Sequence, residues 1–122
     1  MSKRILVVED QEDNRRILRD LLTSAGFELI EAVTGTEGVR LARSRRPDLI
    51  LMDIQLPELD GHEATRQIKA DPELRPIPIV VVTSYALSGD EAKAFAAGAD
   101  AYVTKPFSPR QLLAKVRELI AE

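Results

Sequence analysis

Five polar residues sit where apolar runs stop. Glu9 and Asp10 end the run 5–8, Asp53 ends 49–52, and Thr83 ends 79–82; Lys105 follows 101–103 by one residue. Three carboxylates, a hydroxyl and an ammonium gathered at one place would suit an anion such as a phosphoryl group. The carboxylates alone would repel: two like charges about 4 Å apart cost ~4 kcal/mol at an effective dielectric of ~20. A divalent cation removes that cost. An all-oxygen site with few protein ligands and room for water suits Mg²⁺, which is often shared with a phosphate. Lys105 would add a compact positive charge, and Thr83 a donor. A carboxylate can itself act as nucleophile toward phosphorus, and phosphoryl transfer is mostly positioning and charge stabilisation. Each residue alone has a plainer explanation. Strand-end Asp and Glu cap loops or helices, a lone Thr83 suits a turn, and a lone Lys105 a solvated surface.

These residues meet only if the elements bring them together. The wholly apolar runs read as strands buried on both faces, as in a parallel sheet covered by helices. The spacing predicts strands at 5–8, 27–33, 48–53, 79–83 and 101–103. Helices are expected between them. In the first, Ile17, Leu18, Leu21, Leu22 and Ala25 share one face and Arg15, Arg16 and Arg19 the other, with Gly26 at the C-terminus. The others fall at 37–45, with an N-cap at Thr34 or Thr36, and at 63–70, 90–97 and from Pro109 on, behind Ser108. In the last, Leu112, Leu113, Val116, Leu119 and Ile120 form the buried stripe. Fivefold alternation implies parallel strands with right-handed crossovers. The expected fold is therefore α/β, a flavodoxin-like doubly wound (βα)5 sheet in the order 2-1-3-4-5. Ligands bind that architecture at the carboxyl edge, at the switch point between strands one and three. Glu9, Asp10 and Asp53 would share that crevice.

Composition narrows the classes. One domain covering residues 1–122 is expected from the length. The chain has no Cys, which excludes disulfides and thiol catalysis. Seventeen Lys and Arg against twenty Asp and Glu leave a charge of −3, against a nucleic-acid partner. No apolar run approaches the ~20 residues that span a bilayer, and 5–8 is too short for a signal peptide. The cytoplasm is the expected location.

At these residues the chain resembles the receiver domain of bacterial response regulators, the fold of the chemotaxis protein CheY. The resemblance spans the chain. It is carried by Val8-Glu9-Asp10, by Leu51-Met-Asp53-Ile-Gln-Leu-Pro57 with Asp60-Gly61, by Thr83, by Gly98-Ala-Asp100 and by Lys105-Pro106-Phe107. It implies that Asp53 accepts a phosphoryl group, and that Asp10, Asp53 and the main-chain carbonyl of Gln55 bind Mg²⁺, with Glu9 acting through water. Lys105 would pair with the phosphoryl group, Thr83 would swing toward it, and Tyr102 would turn inward. The Lys105-Pro106 bond would be cis. Gln55 and Tyr85 would stand at positions that tune autodephosphorylation. A sensor histidine kinase or histidine phosphotransfer protein would be the donor, facing Gln11, Asn14, Arg15 and Leu18; a downstream protein would bind the face from residue 87 to the last helix. Such a protein is a phosphoacceptor and not a turnover enzyme, a monomer or a phosphorylation-dependent dimer. Ser84 stands where the family usually has Ala. With no output domain expected after the last helix, the chain resembles a stand-alone receiver. Its Met-Asp-Ile-Gln-Leu-Pro wording and Ser88-Gly-Asp-Glu91 resemble those of cell-cycle and hybrid-kinase phosphorelay receivers more than those of the motor-binding type.

Other readings fit less well. A haloacid-dehalogenase-type phosphatase needs a second acid where Gln55 stands. In a flavodoxin-like FMN binder, Glu9-Asp10 would repel the phosphate. A pseudo-receiver acting as a phosphorylation-independent binding module usually lacks an acid or the Lys, and all are present here. His62, the only histidine, reads as exposed or loop-packed rather than as a phosphohistidine carrier.

Overall fold

The computed structural model describes residues 2–83 and 89–120. Strand and helix alternate as expected: β1 (Arg4–Val8), α1 (Glu12–Ser24), β2 (Glu28–Ala32), α2 (Gly35–Arg45), β3 (Leu49–Met52), α3 (Gly61–Ala70), β4 (Ile79–Thr83), α4 (Asp90–Ala96), β5 (Ala101–Thr104) and α5 (Pro109–Ile120). The strands form one sheet in the order β2-β1-β3-β4-β5. Every pairing is parallel.

Alternate residues of a strand point to opposite faces, so the sheet divides the interior in two. Leu6, Val8, Ile50, Met52 and Val81 pack with Val39, Ile68 and Ala94 on one side. Ile5, Val7, Leu49, Leu51 and Val80 pack with Leu18, Leu22, Leu112 and Val116 on the other. All of β3 and β4 is buried. At about 1.5–3 kcal/mol for each large aliphatic side chain taken from water, these central strands anchor the fold and fix where their carboxyl ends emerge.

Two helices start earlier than the apolar pattern predicted, because side chains before them satisfy the first amides. The Asp60 carboxylate accepts the Glu63 amide at 2.9 Å, so α3 begins at Gly61 rather than Glu63. The Thr34 hydroxyl accepts the Glu37 amide at 3.0 Å, which places α2 from Gly35 and selects Thr34 over Thr36 as the cap. At the other end of the molecule the Gly98-Ala-Asp100 motif has a structural use. Asp100 accepts the Ile79 amide at 2.8 Å and pairs with Lys69 at 3.0 Å, holding the start of β4.

The loop from β3 to α3 is gripped at both ends by glycine. A Cβ on Gly35 would lie 1.9 Å from the Leu59 carbonyl oxygen, and one on Gly61 2.0 Å from that of Asp53. Backbone meets backbone there, and only glycine leaves the space.

Candidate functional site

β1 and β3 end side by side. The Asp53 amide donates to Val8 O and the Glu9 amide to Ala32 O, each at 3.0 Å. These bonds carry Glu9, Asp10 and Asp53 to one spot, where a carboxylate oxygen from each lies within 4.8 Å of the others. Glu9 is 2% exposed and Asp53 8%; Asp10 is half-buried. They border a cleft of about 440 Å³ lined by Asp10, Gln11, Asn14, Asp53, Gln55 and Lys105. The exposed Gln55 thus joins the acids from the loop after β3.

Lys105 arrives from the far strand. Its amide donates to Thr83 O at 2.7 Å, and its bond to Pro106 is cis, as the resemblance implied. Its ammonium donates to Glu9 Oε1 at 2.7 Å, in a pair that is nearly covered. The other carboxylate oxygen, Glu9 Oε2, accepts the Gln11 amide at 3.1 Å. Glu9 therefore holds Lys105 at the cleft.

Burial pushes the Asp53 carboxyl up to about 7, and the negative charge of Glu9 adds to the rise, while Lys105 opposes it. A carboxyl that burial and a neighbouring carboxylate make costly to ionise, with two further acids beside it, fits a cation site. The donors are all oxygen and the cleft leaves room for water, which suits Mg²⁺. Asp10, Asp53 and Glu9 fit as its holders.

Thr83 ends β4 buried at 1% exposure, opposite Thr104. Tyr102 is half-buried against the core beneath α3 and α4. Burial raises the pKa of its hydroxyl, with Asp90 and Glu91 contributing. Ser84, Tyr85 and residues 87–88, to which the sequence also assigned roles, lie outside the described residues.

The α1 surface differs from expectation. Leu18 is 3% exposed and belongs to the core, so it meets the surface only as part of a cleft wall. Ile17, placed inward by the apolar pattern, is 55% exposed. Beside it a second cleft of about 480 Å³ runs past Asn14 to Pro106, Phe107 and Pro109, with Leu18 in its wall. Gln11 is exposed and Asn14 half-buried. Arg15 turns inward: its guanidinium donates to Glu9 O at 2.9 Å and lies 3.4 Å from Glu31. Arg19 binds Glu31 through two hydrogen bonds of 2.7 and 2.8 Å, and these lower the Glu31 pKa. Arg16 stays in solvent. The His62 ring nitrogens are shielded and have no hydrogen-bond partner among the described residues, so this His is packed rather than exposed.

Among the described residues no helix is long and apolar enough to cross a membrane. The response regulator receiver domain model matches residues 5–117. The polar-differentiation response regulator DivK of Brucella anthropi is 43% identical over 122 residues, which is 100% of this chain and 99% of that protein. The receiver domain of a sensor histidine kinase from Pseudomonas aeruginosa, solved with magnesium in its active-site cleft, covers 100% of both chains with a TM-score of 0.93 and 37% identity. A CheY-like receiver protein from Methanospirillum hungatei gives a TM-score of 0.93 at 32% identity, covering 99% of this chain and 95% of its own. With the acid cluster, the lysine and the sheet order in agreement, the chain belongs to the response regulator receiver domain family.

Proposed function

We propose that Asp53 accepts a phosphoryl group from a sensor histidine kinase or a histidine phosphotransfer protein, and that the change of charge switches binding of a downstream protein. The observation that carries this is the meeting of three carboxylates within 4.8 Å of one another, with Lys105 beside them, at the carboxyl edge of the sheet. An Asp53 oxygen attacks the donor's phosphorus. The new P–O bond forms as the P–N bond to the donor histidine breaks, and the imidazole keeps the electron pair. Asp10, Asp53 and the Gln55 carbonyl would hold Mg²⁺, with Glu9 acting through water. When bound, Mg²⁺ supplies positive charge to the phosphoryl oxygens. Lys105 pairs with the same group through an N–H that its bond to Glu9 leaves available, since an ammonium carries three donors. Thr83 and Tyr102 read the new charge, by a shift toward the site and an inward turn. The response is bounded: moving an equilibrium from 1:99 to 99:1 takes ~5.5 kcal/mol of discrimination between the states.

The donor docks over Gln11, Asn14, Ile17 and Phe107. Ile17 supplies the exposed apolar contact that the sequence had assigned to Leu18.

The test is intact-protein mass after incubation with acetyl phosphate, with and without Mg²⁺, beside Asp53→Asn. One phosphoryl addition that needs both Mg²⁺ and Asp53 is expected. If none accumulates, Mg²⁺-dependent binding of beryllofluoride, an acyl-phosphate mimic, still identifies the site; failure of both refutes the phosphoacceptor assignment.

A further inference from the structure

Arg15 is the one α1 residue bonded to the acidic turn through its side chain among the described residues. The turn Glu9-Asp10-Gln11 is held at five points, two of them the Lys105 bond to Glu9 Oε1 at 2.7 Å and the Arg15 amide bond to Gln11 O at 3.0 Å. The Glu9 amide is tied to Ala32 O at 3.0 Å, the Gln11 amide to Glu9 Oε2 at 3.1 Å, and the Glu9 carbonyl to the Arg15 guanidinium at 2.9 Å. Asp10 lies between restrained neighbours. The start of α1 holds Gln11 through its backbone alone: its carbonyl accepts the Arg15 amide at 3.0 Å, and its side chain makes no capping bond. Arg15 is braced from behind. Its Nε faces Glu31 of β2 at 3.4 Å, and Arg19 grips the same carboxylate. The chain of contacts Arg19–Glu31–Arg15–Glu9 O joins α1, β2 and the turn, and the Arg15 side chain is only 15% exposed.

We propose that Arg15 is a positioning residue for the cation site. By fixing the Glu9 carbonyl, and with Glu31 fixing its own guanidinium, it sets the turn from which Asp10 presents its carboxylate. This rests on the reading of Glu9, Asp10 and Asp53 as that site.

Electrostatics alone predicts the opposite sign. Removing a positive charge beside carboxylates should tighten cation binding. Removing a strut should loosen it, and outer hydrogen-bond partners of metal ligands commonly carry about 10- to 100-fold in affinity. A purely architectural role would lower the melting temperature and leave the affinity alone.

The experiment is a Mg²⁺ titration followed by amide NMR shifts of residues 9–11, below the melting temperature of each variant. Arg15→Ala is expected to raise the Mg²⁺ dissociation constant roughly tenfold. Arg15→Lys, which keeps the charge and can reach one acceptor, should recover part of the loss. Glu31→Gln should weaken binding in the same direction while leaving Arg15 in place, and serves if Arg15→Ala does not fold. Arg16→Ala, a change in solvent, should match the wild type. Binding by Arg15→Ala or Glu31→Gln as tight as that of the wild type, or tighter, overturns the proposal. Asp10→Asn separates the two readings: if it binds Mg²⁺ like the wild type, the site assignment fails, and with it the premise.

Discussion

Asp53 sits buried against Glu9, and its carboxyl titrates at about 7 instead of 3.8. The unfolded chain releases this proton near pH 4 and the folded chain only near 7. The contribution of Asp53 to stability is therefore greatest below pH 4, falls as pH rises to about 7, and stays at the lower level above. At about 1.4 kcal/mol per pH unit, the move from 3.8 to about 7 amounts to roughly 4 kcal/mol. Asp53→Asn keeps the shape and removes the charge. In EDTA at about pH 8 the variant should be more stable than the wild type by up to roughly 4 kcal/mol, and the gain should fade toward pH 4. Saturating Mg²⁺ should shrink it too, since a ligand at 100 times its dissociation constant stabilises the fold that binds it by about 2.7 kcal/mol. Urea unfolding followed by circular dichroism, across pH and with or without Mg²⁺, measures all three. A variant no more stable than the wild type at high pH, or a gain that ignores pH, would refute the reasoning.

Three further outcomes follow from the geometry. Lys105→Met leaves Glu9 buried without its partner, so the metal-free protein should lose about 3–5 kcal/mol, and a second change, Glu9→Gln, should restore much of it in urea unfolding. Gly61→Ala drives a methyl group into the Asp53 carbonyl; it should cost about 1–3 kcal/mol and reduce phosphoryl uptake from acetyl phosphate, read by intact mass. Ile17→Glu should leave stability within about 0.5 kcal/mol and acetyl phosphate chemistry intact, while slowing transfer from a histidine donor, measured with labelled phosphate.

The strand ends were legible because burial of both faces of β3 and β4 writes itself as unbroken apolar runs. The polar residue that stops each run then marks the edge of the sheet. What escaped were choices between neighbours and partners. Ile17 and Leu18 both fit a 3.6-residue apolar stripe, and only the packing of Leu18 with Leu22 against the sheet decides which one is covered. The Asp60–Glu63 cap did carry a signal, an Asp three residues before a Glu, and it moves the start of α3 by two residues. The inward turn of Arg15 depends on Glu31, a β2 residue whose position is set by strand register. Lys105 meets Glu9 across 96 residues of sequence. No local pattern announces either pair.

The two glycines that grip the β3–α3 loop bear on how such a switch can be timed. The backbone on either side of Gln55 is seated against its neighbours at Gly35 and Gly61, while the Gln55 side chain itself is exposed. Exchange at Gln55 therefore changes one wall of the cleft it shares with Asp53 without re-laying the backbone on either side. If Asp53 carries a phosphoryl group as proposed, its lifetime would be adjustable like a dial, one side chain at a time, in a socket that stays put.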